Sequence, residues 1–185
     1  MAPPEERSLS LAEWLVLCLV CEEPRHGFAI ARILGREGSL GRIWRVPKPV
    51  IYRALQRLEL LGLVQIAEHQ MTSQGPVRSL IDATEAGRRA TADWLTRPVE
   101  HTRDVRSELL VKLALLDRAG TDPQPLLEAQ REQLVPVAGA LYDRLAMAGG
   151  FDGTLALWRY ETVSATVRFL DAMCAQAAAR SWLRV

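Results

Sequence analysis

Apolar residues recur at helical spacing along most of this chain, and the pattern is interrupted once by two short strand-like runs. Ser10-Leu11-Ala12-Glu13 has the spacing at which a serine and a glutamate satisfy each other's free backbone N–H groups, with Leu9 and Trp14 at the positions of a hydrophobic staple. A first helix is therefore predicted over about Leu11–Cys21, ended by Glu22-Glu23-Pro24. Phe28, Ile30, Ala31, Ile33 and Leu34 form the apolar set of a second helix near Gly27–Glu37. Gly35, Gly38 and Gly41 punctuate the loop after it. In the third helix, about Pro49–Leu61, Pro47 and Pro49 suit the first turn, where no intrahelical donor is lost. Ile51, Ala54, Leu55, Leu58 and Leu61 then share one face, and Gly62 ends the helix. Pro49, Tyr52, Arg53 and Gln56 fall on the opposite side, flanked by Lys48 and Arg57.

The strand-like runs are Leu63–His69 and Val77–Asp82, joined by turn-forming residues 70–76. Thr84 then caps a fourth helix that reaches Trp94 and Leu95. Three helices, a hairpin and a fourth helix make the order of a winged helix-turn-helix with a two-stranded wing. Pro98 marks the boundary, so residues 8–97 are expected to form that domain and residues 98–185 an all-helical one.

The second part is predicted to hold helices over about Asp104–Leu116, Pro123–Met147, bent at Pro136, and from a Thr154 cap to about Ala179. Leu134, Leu141 and Leu145 on one helix, and Trp158, Phe169 and Met173 on the next, lie near heptad spacing. A helical appendage of roughly ninety residues has difficulty burying both stripes alone. A two-fold dimer would cover them and set two third helices about 34 Å apart.

Composition narrows the class. At 49% hydrophobic and 24% charged, the 185-residue chain is globular rather than disordered. Its apolar run Trp14–Cys21 is too short to span a bilayer. Met1–Ser8 fits neither a signal nor a transit peptide, so a cytoplasmic protein is expected. The net charge of +1 decides little, but its distribution matters: Arg42, Arg45, Lys48, Arg53 and Arg57 share a stretch with no Asp or Glu. That suggests an anionic partner at one face.

The chemistry of the third helix then selects double-stranded DNA. A helix fits the major groove, where Gln56 can pair with adenine and Arg53 with guanine. Lys48, Tyr52 and Arg57 suit phosphates, Pro49 lies on the same face, and Gln74, Gly75 and Arg78 of the hairpin can approach the adjacent minor groove. An alternative is a winged-helix adaptor that docks on protein and never touches DNA.

An enzyme has little support: no nucleophile elbow, phosphate-binding loop, zinc-protease motif or dinucleotide fingerprint is present. Asp104 and Glu108 stand one helical turn apart beside Arg103 and Arg106, and a surface ion-pair cluster explains them. Cys18 and Cys21 lie in an apolar helical run without a second pair, so they are expected to be buried small hydrophobes. No metal and no cofactor is expected.

Leu9–Leu19 followed by His26-Gly27-Phe28, then Ile51-Tyr52-Arg53-Ala54-Leu55-Gln56-Arg57-Leu58-Glu59 and Leu61-Gly62-Leu63-Val64, resembles the PadR family of bacterial transcriptional regulators. That family shows H-G-Y, L-Y-x-x-L-x-R-L-E and G-L-V at these places, and Thr84-Glu85-Ala86-Gly87 is similar to its T-x-x-G after the wing. Asp104–Leu109 and Ala156-Leu157-Trp158-Arg159 look like the longer members with an all-helical C-terminal part. The resemblance implies a homodimer on a palindromic operator, usually a repressor, released in some relatives by a phenolic acid or another small aromatic or hydrophobic effector. Phe28 stands where the family has Tyr, and the wing carries one Arg and no Lys. The resemblance transfers no effector-binding residue.

Overall fold

Helix α1 (Leu11–Glu22) starts where the Ser10–Glu13 spacing places it. In this computed structural model, which describes residues 9–70 and 78–182, the Ser10 N–H donates to the Glu13 carboxylate at 2.7 Å and the Glu13 N–H to Ser10 Oγ at 3.4 Å. Both partners of the capping box are present. Helix α1 is buried almost all round, from Leu15 to Val20. Trp14 stacks on Trp94 with ring centroids 5.0 Å apart.

Arg25–His26 forms a short strand β1, and α2 (Gly27–Ile33) follows at once. Helix α2 stops four residues before the predicted Glu37. The loop turns back on its end: the Leu40 and Gly41 N–H groups donate to the Ile33 carbonyl at 3.3 and 3.2 Å, and that of Val46 to the Leu34 carbonyl at 3.1 Å. The apolar pattern outlasted the helix because Leu34 and Leu40 are buried from the loop.

Helix α3 (Lys48–Leu60) begins at an extended Pro47 and ends before Gly62, whose φ of 68° suits a residue without a side chain. Strands β2 (Val64–Gln70) and β3 (Arg78–Ala83) pair antiparallel, with a register shift between Ile66 and Glu68 that marks a bulge. Strand β1 pairs with the other edge of β3, giving the order β1-β3-β2. The sheet thus has three strands, one more than predicted. Helix α4 (Glu85–Thr96) is locked to this sheet by Thr84, whose Oγ1 accepts the Gly87 N–H at 3.1 Å and donates to the Gly62 carbonyl at 2.7 Å. Gly87 has no room for a side chain, since a Cβ there would sit 2.1 Å from the Leu63 carbonyl oxygen.

Contacts divide the chain into two units, Met1–Trp94 and Leu95–Val185. The first is a winged helix-turn-helix and the second is all helical. In the second, a 3-10 turn (Thr102–Asp104) and a π turn (Val105–Leu109) lead into α5 (Leu110–Arg118), so only part of the predicted Asp104–Leu116 helix is regular. Helix α6 (Gln124–Leu145) continues through Pro136, and α7 (Gly150–Trp182) starts four residues before the predicted Thr154 cap. The core of this unit gathers Leu109, Leu116, Leu127, Leu134, Val163 and Leu170.

Two polar side chains complete that core. Gln130 is fully buried and clasps Val99, accepting its N–H at 2.7 Å and donating to its carbonyl at 3.1 Å. Lys112 is 1% exposed; its ammonium donates to the Arg97 carbonyl at 2.7 Å and pairs with Glu108 at 2.9 Å. Glu108 therefore belongs to an inward pair, and the predicted surface cluster reduces to Arg103 beside Asp104 at 3.8 Å.

Candidate nucleic-acid interface

The face of α3 divides as its spacing requires except at Leu61, which stands just beyond the helix end and is 39% exposed. Ile51, Ala54, Leu55 and Leu58 are buried, while Lys48, Pro49, Tyr52, Arg53 and Gln56 are exposed. Arg42 and Arg45 in the preceding loop are exposed as well. Four exposed cations thus lie between Leu40 and Leu58 with no carboxylate among them, which makes a local positive field on a nearly neutral chain.

Two neighbours shape this surface. Tyr52 leans on Gly27, where an added Cβ would come within 2.9 Å of the ring, so the glycine lets the phenol lie against the start of α2. The Lys48 ammonium sits 5.2 Å from the centre of the Phe28 ring, a cation–π contact that holds the chain up at the N-terminal end of α3. Phe28 itself is 56% exposed. The sequence pattern groups it with the apolar set of α2, but it starts that helix on the outer side.

Arg57 stands apart from the other residues expected at DNA. Its guanidinium pairs with Glu13 Oε1 at 3.0 Å, and Glu13 is the buried member of the α1 capping box. Arg57 thus ties α3 to the start of α1. Only the fold brings Glu13 within its reach.

At the hairpin, Gln74 and Gly75 lie outside the described residues. The backbone of Arg78 pairs with Gln70 at the end of β3 nearest the tip, and its side chain lies outside the description. Strand β1 is an unpredicted part of the site: His26 Nδ1 lies 3.0 Å from the Ser79 carbonyl. A carbonyl can only accept, so Nδ1 carries the proton. A two-residue strand leaves no periodic signal, and His26-Gly27 was the sole hint of it.

The residues expected at a dimer seam also divide. Leu134 is buried in its own unit and offers nothing to a partner, which corrects its assignment: it packs across α6 and α7 within one chain. Leu141, Phe169 and Met173 pack partly against that core, and Leu145 is half-buried. Trp158 is 69% exposed, in company with Tyr142, Met147, Phe151 and Leu157.

Among the described residues, no group of three or more His, Cys, Asp or Glu side chains could hold a metal ion. No helix of the described residues is long and apolar enough to cross a membrane. Cys18 is buried, and Cys21 Sγ lies 3.3 Å from Thr91 Oγ1; neither sulfur belongs to a disulfide. Burial pushes the Cys21 thiol pKa up.

Residues 16–93 match the family model described as the transcriptional regulator PadR-like family. That part of the chain is similar to the PadR-like regulators. That segment takes in nearly all of the first unit, including α3 and the sheet. Among solved structures, PadR of Bacillus subtilis in complex with operator DNA is 18% identical, over 91% of this chain and 99% of that one, with a TM-score of 0.47. The same protein in complex with p-coumaric acid is 17% identical over 96% and 99%, at 0.40. A PadR-like transcriptional regulator from Bacillus cereus is 20% identical over 94% and 99%, at 0.42. Comparison with curated proteins returns no match.

Proposed function

We propose that this chain is a sequence-specific DNA-binding transcriptional regulator of PadR type, acting as a dimeric repressor on a palindromic operator. One observation carries the reading: α3 buries its apolar face and presents Lys48, Tyr52, Arg53 and Gln56 outward within a stretch free of carboxylates. Arg53 and Gln56 reach base edges in the major groove, where guanine offers two acceptors and adenine a donor–acceptor pair. Lys48, Tyr52 and the loop arginines Arg42 and Arg45 hold phosphates. Dimerisation falls to the exposed apolar side chains of α6, α7 and the turn between them, with Trp158 and Phe151 as the large anchors and Tyr142 and Met147 also exposed.

Selection of bound duplexes from a random pool, followed by footprinting, tests this. The expected product is an inverted repeat whose half-sites lie about one helical turn apart. Arg53→Ala should cost about 1–3 kcal/mol on that site and relax the preference at one position per half-site. A pool that converges on no sequence would favour the protein-docking adaptor instead.

A further inference from the structure

A cleft of about 520 Å³ opens inside the first unit, between α3, the start of α2 and the sheet. Its volume lies within the range of small-molecule sites. Phe28, Tyr52, Ile66 and Ile81 supply apolar wall, and Glu59 is its one acidic residue. The Glu59 carboxylate makes no hydrogen bond or ion pair among the described residues. It also stands in the last turn of α3, where the partial negative charge of the helix end disfavours an anion. Carboxylate and helix end together attract positive charge. Among the other polar groups of the cleft, Gln56 and Gln65 are neutral, and His26 is turned with Nδ1 donating to the Ser79 carbonyl.

We propose that this cleft is a binding site for a small planar aromatic cation, an aryl ring carrying one ammonium or amidinium group. The ring lies against the Phe28 and Tyr52 walls, and the cationic group meets Glu59. Phe28 already receives an ammonium, that of Lys48, so its ring is accessible to cations. The charge preference is opposite to that of the phenolic acids implied by the family resemblance, whose carboxylate Glu59 would repel. Tyr52 and Gln56 line the cleft and also belong to the proposed reading face of α3. Occupancy should therefore compete with duplex binding, and this consequence alone rests on the DNA-binding reading.

The probe is 2-naphthylmethylammonium, titrated calorimetrically into the DNA-free full chain beside 2-naphthylacetate and 2-naphthylmethanol. Saturable binding of the cation at one site per chain is expected, with the anion and the alcohol at least about tenfold weaker. Glu59→Gln should remove about tenfold of the cation's affinity and leave the alcohol's unchanged, whereas Glu85→Gln on the exposed side of α4 should change neither. Ile66→Trp, which fills the cleft at a half-exposed position, should weaken all three. Equal binding of cation and anion, or full cation affinity in Glu59→Gln, overturns the site. In a second arm the cation is added to the protein–duplex complex: a rise in the apparent Kd for DNA is expected. Tight cation binding that leaves the DNA Kd untouched overturns the coupling while the site stands.

Discussion

Arg57 and Lys48 both present cations near the α3 surface, yet their surroundings assign them different work. Arg57 pairs at 3.0 Å with a glutamate that is 7% exposed at its side chain, while 43% of the Arg57 side chain remains open. Removing Arg57 leaves Glu13 with the two Ser10 donors at 2.7 and 2.8 Å, so the carboxylate is not stranded. The cost is therefore well below that of orphaning a buried charge, about 3–5 kcal/mol, and above that of an exposed pair, about 0.2–1 kcal/mol. We expect about 1–2 kcal/mol for Arg57→Ala, read by urea denaturation as a lower midpoint with an unchanged slope. Among the described residues Lys48 meets the face of an exposed phenylalanine and no ion-pair partner, and Lys48→Ala should cost less than about 0.5 kcal/mol. DNA binding measured across salt concentrations should rank them the other way. Each phosphate contact contributes about 0.9 to the logarithmic salt slope; Lys48→Ala should lose one such increment and Arg57→Ala none. A slope that drops for Arg57→Ala while its urea midpoint holds would refute the structural role given to this residue.

Three further outcomes follow from local geometry. Lys112→Met leaves the Arg97 carbonyl without its donor and Glu108 without its cation, and should destabilise the chain by about 1–3 kcal/mol; adding Glu108→Gln should recover part of that in a double-mutant cycle. Gly87→Ala drives a methyl into the Leu63 carbonyl and should cost about 3 kcal/mol, visible as a lower thermal midpoint. Cys21 should react with iodoacetamide more slowly than a free thiol near pH 8.5, because desolvation keeps it protonated and the thiolate is the nucleophile. The raised pKa makes the folded thiol hold its proton longer than the unfolded one. Any stability it contributes is thus present below the unfolded pKa and declines as pH rises through the folded one.

What the sequence discloses and what it hides divides along contact range. The Ser10–Glu13 box, the two faces of α3 and the Thr84 cap all depend on residues within four positions of one another, and each is where the spacing puts it apart from Leu61, which falls past the last helical residue and is exposed. Strand β1 is different: two residues find their partner more than fifty positions later, and no period can announce them. The same holds for Glu13 with Arg57, 44 positions apart, whose pairing ties α3 to the start of α1. Leu134 shows the reverse error. Its heptad place fits either a dimer seam or the chain's own core, and only packing distinguishes them. Phe28 was misread because an aromatic beside apolar neighbours resembles core even when it begins a helix on the outer side.

The central claim concerns which surface of α3 meets DNA, and photo-cross-linking tests it most directly. A benzophenone-bearing residue is placed in turn at positions 53 and 56, and at position 89 on the exposed side of α4, each on the selected duplex. Adducts to bases within the inverted repeat from 53 and 56, with none from 89, are predicted. Specific binding that yields no base adduct from either α3 position would contradict the account.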